Sequence, residues 1–158
     1  MTSSRNPDVI GRLVARFLSP KITVHVSPEA FTFSSPNARL LLPTFLYLHD
    51  EPDSVRVVSV GEEPAQQSSS VVRLDLFGGA RRLGNGKVRV GNAECLEAFL
   101  RFALQKLGGR SWLVRPSVTI VGAENLDRIL HGFQMPVLRQ AFESAGAYTV
   151  AFEDGHAA

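Results

Sequence analysis

Apolar residues along this chain change period twice. Between Asp8 and Leu18 they recur at helical spacing: Val9, Ile10, Leu13, Val14, Phe17 and Leu18, with Arg12 and Arg16 on the other side. That predicts a short amphipathic helix, ended by Ser19-Pro20. From Lys21 to Val26 the pattern alternates and is β-branched, which predicts a strand, with Ala30–Ser34 as its hairpin partner and Ser27-Pro28 near the turn. Arg39–Leu42 and Thr44–His49 are almost continuous apolar runs broken by Pro43, as in strands that bend or lie at an edge. Asp50 to Asp53 reads as a turn. Ser54–Val60 and Val71–Phe77 read as strands, separated by the polar stretch Gly61–Ser70, expected to be a loop with a helical turn.

The second change comes at Asn92, a predicted N-cap. Leu96, Phe99, Leu100, Ala103, Leu104 and Leu107 form a helical stripe, and Gly108-Gly109 supplies a stop. Ser117–Val121 then reads as a buried strand. Glu124–Phe133 and Pro136–Ala145 read as two helical pieces, with Pro136 expected at a first helical position. Tyr148–Phe152 is the last strand. Hairpin strands followed by helix–strand–helix–strand predict an α/β fold: a mixed sheet begun by antiparallel strands and finished by crossovers, as in a ribonuclease-H-like or actin-like half-domain. The expected division is residues 1–20 as the N-terminal helix, 21–154 as the half-domain and 155–158 as a tail.

Composition narrows the class without naming a function. The 158 residues are 44% hydrophobic and 20% charged, which suits one folded domain. The formal charge of +2 is too small to signal nucleic-acid binding. A single cysteine excludes an internal disulfide and points to a reducing compartment. No apolar run reaches the roughly 18–20 residues of a membrane span, and the polar start does not resemble a secretory signal. The expected location is cytoplasmic.

Chemistry-bearing patterns are sparse. Arg81, Arg82, Lys87 and Arg89 lie among glycines between Gly78 and Gly91, but no Gly-x-x-x-x-Gly-Lys-Ser/Thr pattern is present, so a solvated loop or loose hairpin is expected. His25, His49, His131 and His156 are scattered without metal-ligand spacing. Cys95 adjoins the helical stripe and reads as a packed thiol. No nucleophile elbow or zinc-protease helix occurs. The pairs Glu62-Glu63 and Glu153-Asp154 read as solvated charge. No catalytic residue, cofactor or metal is expected.

Several segments, in order, resemble the bacterial actin-like MreB family. Gly109-Arg-Ser-Trp-Leu-Val-Arg-Pro-Ser-Val-Thr-Ile120 resembles the family's stretch from its first long helix into the next strand, and Phe99–Gly108 the end of that helix. Val57-Val-Ser-Val-Gly-Glu-Glu63, Leu40-Leu-Leu-Pro-Thr-Phe-Leu-Tyr-Leu48 and Ser144-Ala-Gly-Ala147 are similar to further family segments. The resemblance runs from about Lys21 to Asp154 and implies an actin-like half-domain, one wall of a nucleotide cleft. The family's first phosphate turn is Asp-Leu-Gly-Thr; the aligned residues here are His25, Val26, Ser27 and Pro28. Proline lacks an N–H, serine replaces the glycine that permits close backbone approach, and histidine replaces the carboxylate.

The resulting expectation is a non-catalytic actin-like protein, a cell-shape scaffold that binds a filament protein, itself, or the inner membrane face. The family resemblance implies the membrane contact: Val9, Ile10, Leu13, Phe17 and Leu18 would insert while Arg12 and Arg16 meet anionic lipid; the same face could instead pack on the domain. Thr44–His49 and Gly122–Phe133 are candidate contact surfaces. Rival readings are an active ATP-binding filament protein, a ribonuclease-H-like enzyme, and an adaptor of a pilus or secretion assembly.

Overall fold

Two sheets grow from one continuous run of strands, joined at a proline. The structure, a computed structural model, describes residues 19–52, 54–65, 68–79, 81–83, 88–108 and 115–155. The predicted helix at residues 8–18, and with it the proposed lipid-facing side chains, lies outside the described residues.

Strands β1 (Lys21–Val26), β2 (Ala30–Ser35) and β3 (Ala38–Pro43) form an antiparallel meander. Strands β9 (Ser117–Val121) and β10 (Thr149–Glu153) join parallel to β1, giving the order β10-β9-β1-β2-β3. Register follows the alternation read from the sequence. Val24 lies opposite Phe33 and Ile120, and Val26 opposite Phe31, so one face is apolar. The other carries Thr23, His25, Thr32, Ser34 and Thr119, because side chains alternate between faces along a strand. Pro43 ends β3, an edge strand, where its missing N–H breaks no central ladder.

The second sheet, ordered β5-β4-β6, is antiparallel and comprises β4 (Phe45–Asp50), β5 (Val55–Val60) and β6 (Val71–Asp75). Gly61 closes the junction between the sheets. Its φ of +68° is in the left-handed region, and an added Cβ would stand 3.1 Å from Pro43 Cδ. The segment expected to be loose between Gly78 and Gly91 contains a short hairpin, β7 (Arg81–Leu83) with β8 (Val88–Val90). The described part of Gly61–Ser70 contains one hydrogen-bonded turn, closed by the Val71 N–H on Ser68 C=O at 2.9 Å.

Helix α1 (Asn92–Gly108) buries Leu96, Phe99, Leu100, Ala103 and Leu104 of the predicted stripe, together with Cys95, while Leu107 is partly buried. Its cap differs from the prediction. The first helical bond runs from Cys95 N–H to Gly91 C=O, so Gly91 is the capping residue, and Glu94 reaches back to accept the Gly91 N–H at 2.8 Å. This is the glutamate half of a capping box. The region after β9 divides into a 3₁₀ turn (Ala123–Leu126), a single helical turn α2 (Asp127–Leu130), and helix α3 (Gln134–Ala145). His131 and Gly132, both at positive φ, break the chain between α2 and α3. Pro136 is third in α3 rather than first, still within the turn whose N–H groups have no helical acceptor.

Helices α1 and α3 pack on one another, and α1 also touches β2, β3 and β5. One apolar cluster therefore serves both sheets. At its centre Phe99 meets Phe31 edge-on, with ring centroids 5.6 Å apart.

Candidate functional site

The β1–β2 turn is where the family resemblance places phosphate binding. His25 is exposed and Val26 buried at the end of β1, while Ser27 and Pro28 form the turn. Ser27 closes it twice: its hydroxyl donates to Ala30 C=O at 3.0 Å and accepts from Ala30 N–H at 3.1 Å. The Ser27 N–H also donates to Ala30 C=O, at 3.1 Å. Pro28 has no N–H to offer. The turn's carbonyls face the sheet junction: the Thr44 hydroxyl donates to Pro28 C=O, and Thr44 N–H to Glu29 C=O at 2.9 Å. Of the turn's amides, those of Ser27 and Ala30 are engaged within the turn, and Pro28 has none.

Beside the turn is an open depression of about 320 Å³, lined by Pro28, Glu29, Pro43, Thr44, Phe45, Arg73, Asp75 and Phe77. Its one cationic side chain is paired within the lining. Arg73 pairs with Asp75 at 3.1 Å and stacks over Phe45, 4.0 Å from the ring centroid.

The carboxyl ends of the parallel strands converge on the same rim, the usual ligand edge of α/β sheets. Asn125 donates to Val26 C=O at 3.1 Å, across 99 residues of sequence. Gly122, at φ +80°, allows this approach: a Cβ there would meet Asn125 Nδ2 at 2.8 Å. Glu124 accepts the Gly155 N–H at 3.1 Å, tying the end of β10 to the 3₁₀ turn. Glu153 and Asp154 are exposed beside it.

The chain is similar to the crystal structure of MreB5 of Spiroplasma citri bound to ADP, with a TM-score of 0.58 at 10% identity over 87% of its length. The AMPPNP-bound structure of that protein gives 0.55 at 10% identity, again over 87%. The fold is actin-like. The chain spans 38% and 39% of those two chains, the extent of an actin-like half-domain. No protein-family model and no curated protein matches it.

Among the described residues, no three His, Cys, Asp or Glu side chains gather as metal ligands, and no helix is long and apolar enough to cross a membrane. Of the basic residues in the β7–β8 segment, Arg82 is exposed. Lys87 and His156 lie outside the described residues. Cys95 is buried, and burial pushes its thiol up to about 11. As a contact surface, Thr44–His49 is mostly spent: it contains the central strand of the second sheet, with Leu46 and Leu48 in the core. In the Gly122–Phe133 region, Ala123 and Leu126 are buried, but Phe133 is 67% exposed and Met135, just beyond, is 48% exposed.

One constellation was not anticipated. His49 hydrogen-bonds on both sides, Nδ1 to Glu51 Oε1 at 2.9 Å and Nε2 to Ser70 Oγ at 2.7 Å. Ser68 Oγ lies 2.8 Å from Ser70 Oγ, and the Ser54 hydroxyl donates to Glu51 Oε2 at 2.9 Å. The Ser54 bond, then His49, holds the Glu51 carboxyl below the usual carboxylate range. The visible signal was His49-x-Glu51, two positions apart at a strand end and so on one face.

Proposed function

We propose that this actin-like chain acts as a binding surface rather than as a nucleotide-driven motor, a scaffold for a filament protein or for further copies of itself. The single observation that carries the reading is the β1–β2 turn. Ser27 consumes the polar groups of Ala30, Pro28 lacks an amide, and Thr44 takes the turn's carbonyls. A triphosphate would have to break these bonds to be held there. The exposed Phe133 and Met135 supply apolar contact area at the start of α3, of the kind enriched in protein interfaces. Residues 8–18 would add an inner-membrane contact, and a cytoplasmic location and a cell-shape function fit the same reading.

A second reading has one observation in its favour. The similar MreB5 structures hold ADP and AMPPNP. On that reading the chain would bind ATP against the same rim.

Sedimentation at increasing protein concentration, with and without magnesium-ATP, separates the two. The first predicts assembly or partner binding that ignores nucleotide and falls in a Phe133→Ser, Met135→Ser variant. Nucleotide-dependent assembly would favour the second.

A further inference from the structure

We propose that Ser70, His49 and Glu51 form an acyl-transfer site for small activated carboxylic esters. The inference is independent of the nucleotide question, since these residues lie at one end of the second sheet, in β4 and beside β4 and β6.

With a neutral His49 ring the hydrogen-bond chain runs in one direction. A carboxylate accepts only, so the His49 proton is on Nδ1, facing Glu51 at 2.9 Å. Nε2 of the neutral ring is then an acceptor, and the Ser70 hydroxyl must donate to it across 2.7 Å. This is the arrangement of nucleophile, base and orienting acid that activates a serine. Backbone bonds fix all three parts. His49 lies opposite Val71 in the β4–β6 ladder, Asp50 N–H donates to Ser70 C=O at 2.7 Å, and Glu51 N–H donates to Ser54 C=O at 3.0 Å.

The reaction would proceed by attack of Ser70 Oγ on the ester carbonyl carbon while its proton passes to His49 Nε2. The carbonyl π pair moves to oxygen; as it returns, the C–O bond to the leaving alcohol breaks and the alcohol takes the proton from His49. Water repeats the sequence on the acyl-serine and releases the carboxylic acid.

Two features set the substrate class. A depression of about 170 Å³ is lined by Tyr47, Pro64, Ser68 and Val71, the last two flanking Ser70 along the chain. Its small volume suits a short acyl chain. Donors for the developing oxyanion are few. The Val71 N–H is bonded to Ser68 C=O at 2.9 Å and, with Ser70 donating to His49, the Ser68 hydroxyl donates to Ser70 Oγ at 2.8 Å, leaving the Ser70 N–H, whose bond to Ser68 Oγ is long at 3.4 Å. Weak oxyanion support restricts the site to good leaving groups, such as phenols.

The test uses the full chain with 4-nitrophenyl acetate and a fluorophosphonate probe, read by 4-nitrophenol release and by mass mapping of the adduct. The expected result is one adduct, on Ser70, abolished by Ser70→Ala. His49→Ala should slow it at least about 100-fold, in line with the loss of a general base. Glu51→Gln should slow it about 10-fold or more. Ser27→Ala should leave it unchanged. Ser70→Ala removes a single hydroxyl, and circular dichroism checks its fold, so a failure of His49→Ala to fold leaves the site testable. An unmodified Ser70, an adduct elsewhere, or equal rates in wild type and folded His49→Ala would overturn the proposal.

Discussion

The two sheets put serine to opposite uses. In the five-stranded sheet, Ser27 and Ser35 close their own hairpin turns by the same reciprocal pair of bonds, three residues ahead, to Ala30 and Ala38. Those hydroxyls are absorbed by local backbone, as serine commonly is at turns. In the second sheet Ser70 reaches a histidine 21 residues away, which in turn reaches a carboxylate. The first arrangement ends in a closed turn that leaves little for a ligand. The second is an aligned proton path beside a depression. A serine's chemistry is thus decided by what the fold brings to its hydroxyl.

The contrast presumes that the sheets are one folding unit, which gives the largest expected effect. Phe99 lies under the shared core, in contact with Phe31, and touches Phe33 at 6.4 Å between centroids. Phe99→Ala should cost about 3–5 kcal/mol in urea unfolding, with both sheets lost in a single transition. Signals of β4–β6 that outlast those of β1–β3 would make the sheets separate units.

Thr44 joins the sheets through the β1–β2 turn on one side and β6 on the other, where Leu76 N–H donates to its carbonyl at 2.9 Å. Thr44→Val keeps the shape and strips the hydroxyl from Pro28 C=O. The expected loss is about 1–3 kcal/mol, the cost of a buried acceptor left unpaired. Stability unchanged within error would mean that water replaces the bond.

Ser27→Ala should cost less, about 0.5–1.5 kcal/mol, because the turn sits at the surface. Ser70→Ala should barely alter stability yet remove ester reactivity. Equal behaviour of the two variants in both assays would erase the distinction between the serines.

The smallest effect is in acid. Glu51 has its folded-state pKa below the reference 4.5, from Ser54 and His49. The unfolded chain therefore binds more protons near that value. The contribution is complete above about 4.5 and fades as pH falls through the lower folded value. Glu51→Gln should flatten that part of an acid titration slightly. An unaltered profile would show the contacts to be weak in solution.

Much of the fold was legible before the structure. Lys21–Val26 and Ser117–Val121 were placed to the residue, because alternation and β-branching agree with burial on one face. The helical stripe from Leu96 to Leu104 was equally plain. The helix start was misassigned because Asn92 is the better capping type, whereas Glu94 makes Gly91 the cap. The candidate sites were less legible. The turn at Ser27 and Pro28 could be flagged from residue types alone, but not the engagement of its carbonyls by Thr44, which depends on where the chain leaves the first sheet. The His49 cluster depends on the register that sets His49 against Val71, and hydrophobic pattern does not specify the partner of a strand.

The central claim is that the β1–β2 turn, with the Ser27 and Ala30 amides engaged and none at Pro28, does not wrap a phosphate. An amide NMR titration with magnesium-ATP, following Ser27, Glu29 and Ala30, tests it most directly. The account predicts no saturable shift at these three amides up to millimolar nucleotide. Saturable, coincident shifts there at micromolar ATP would contradict it.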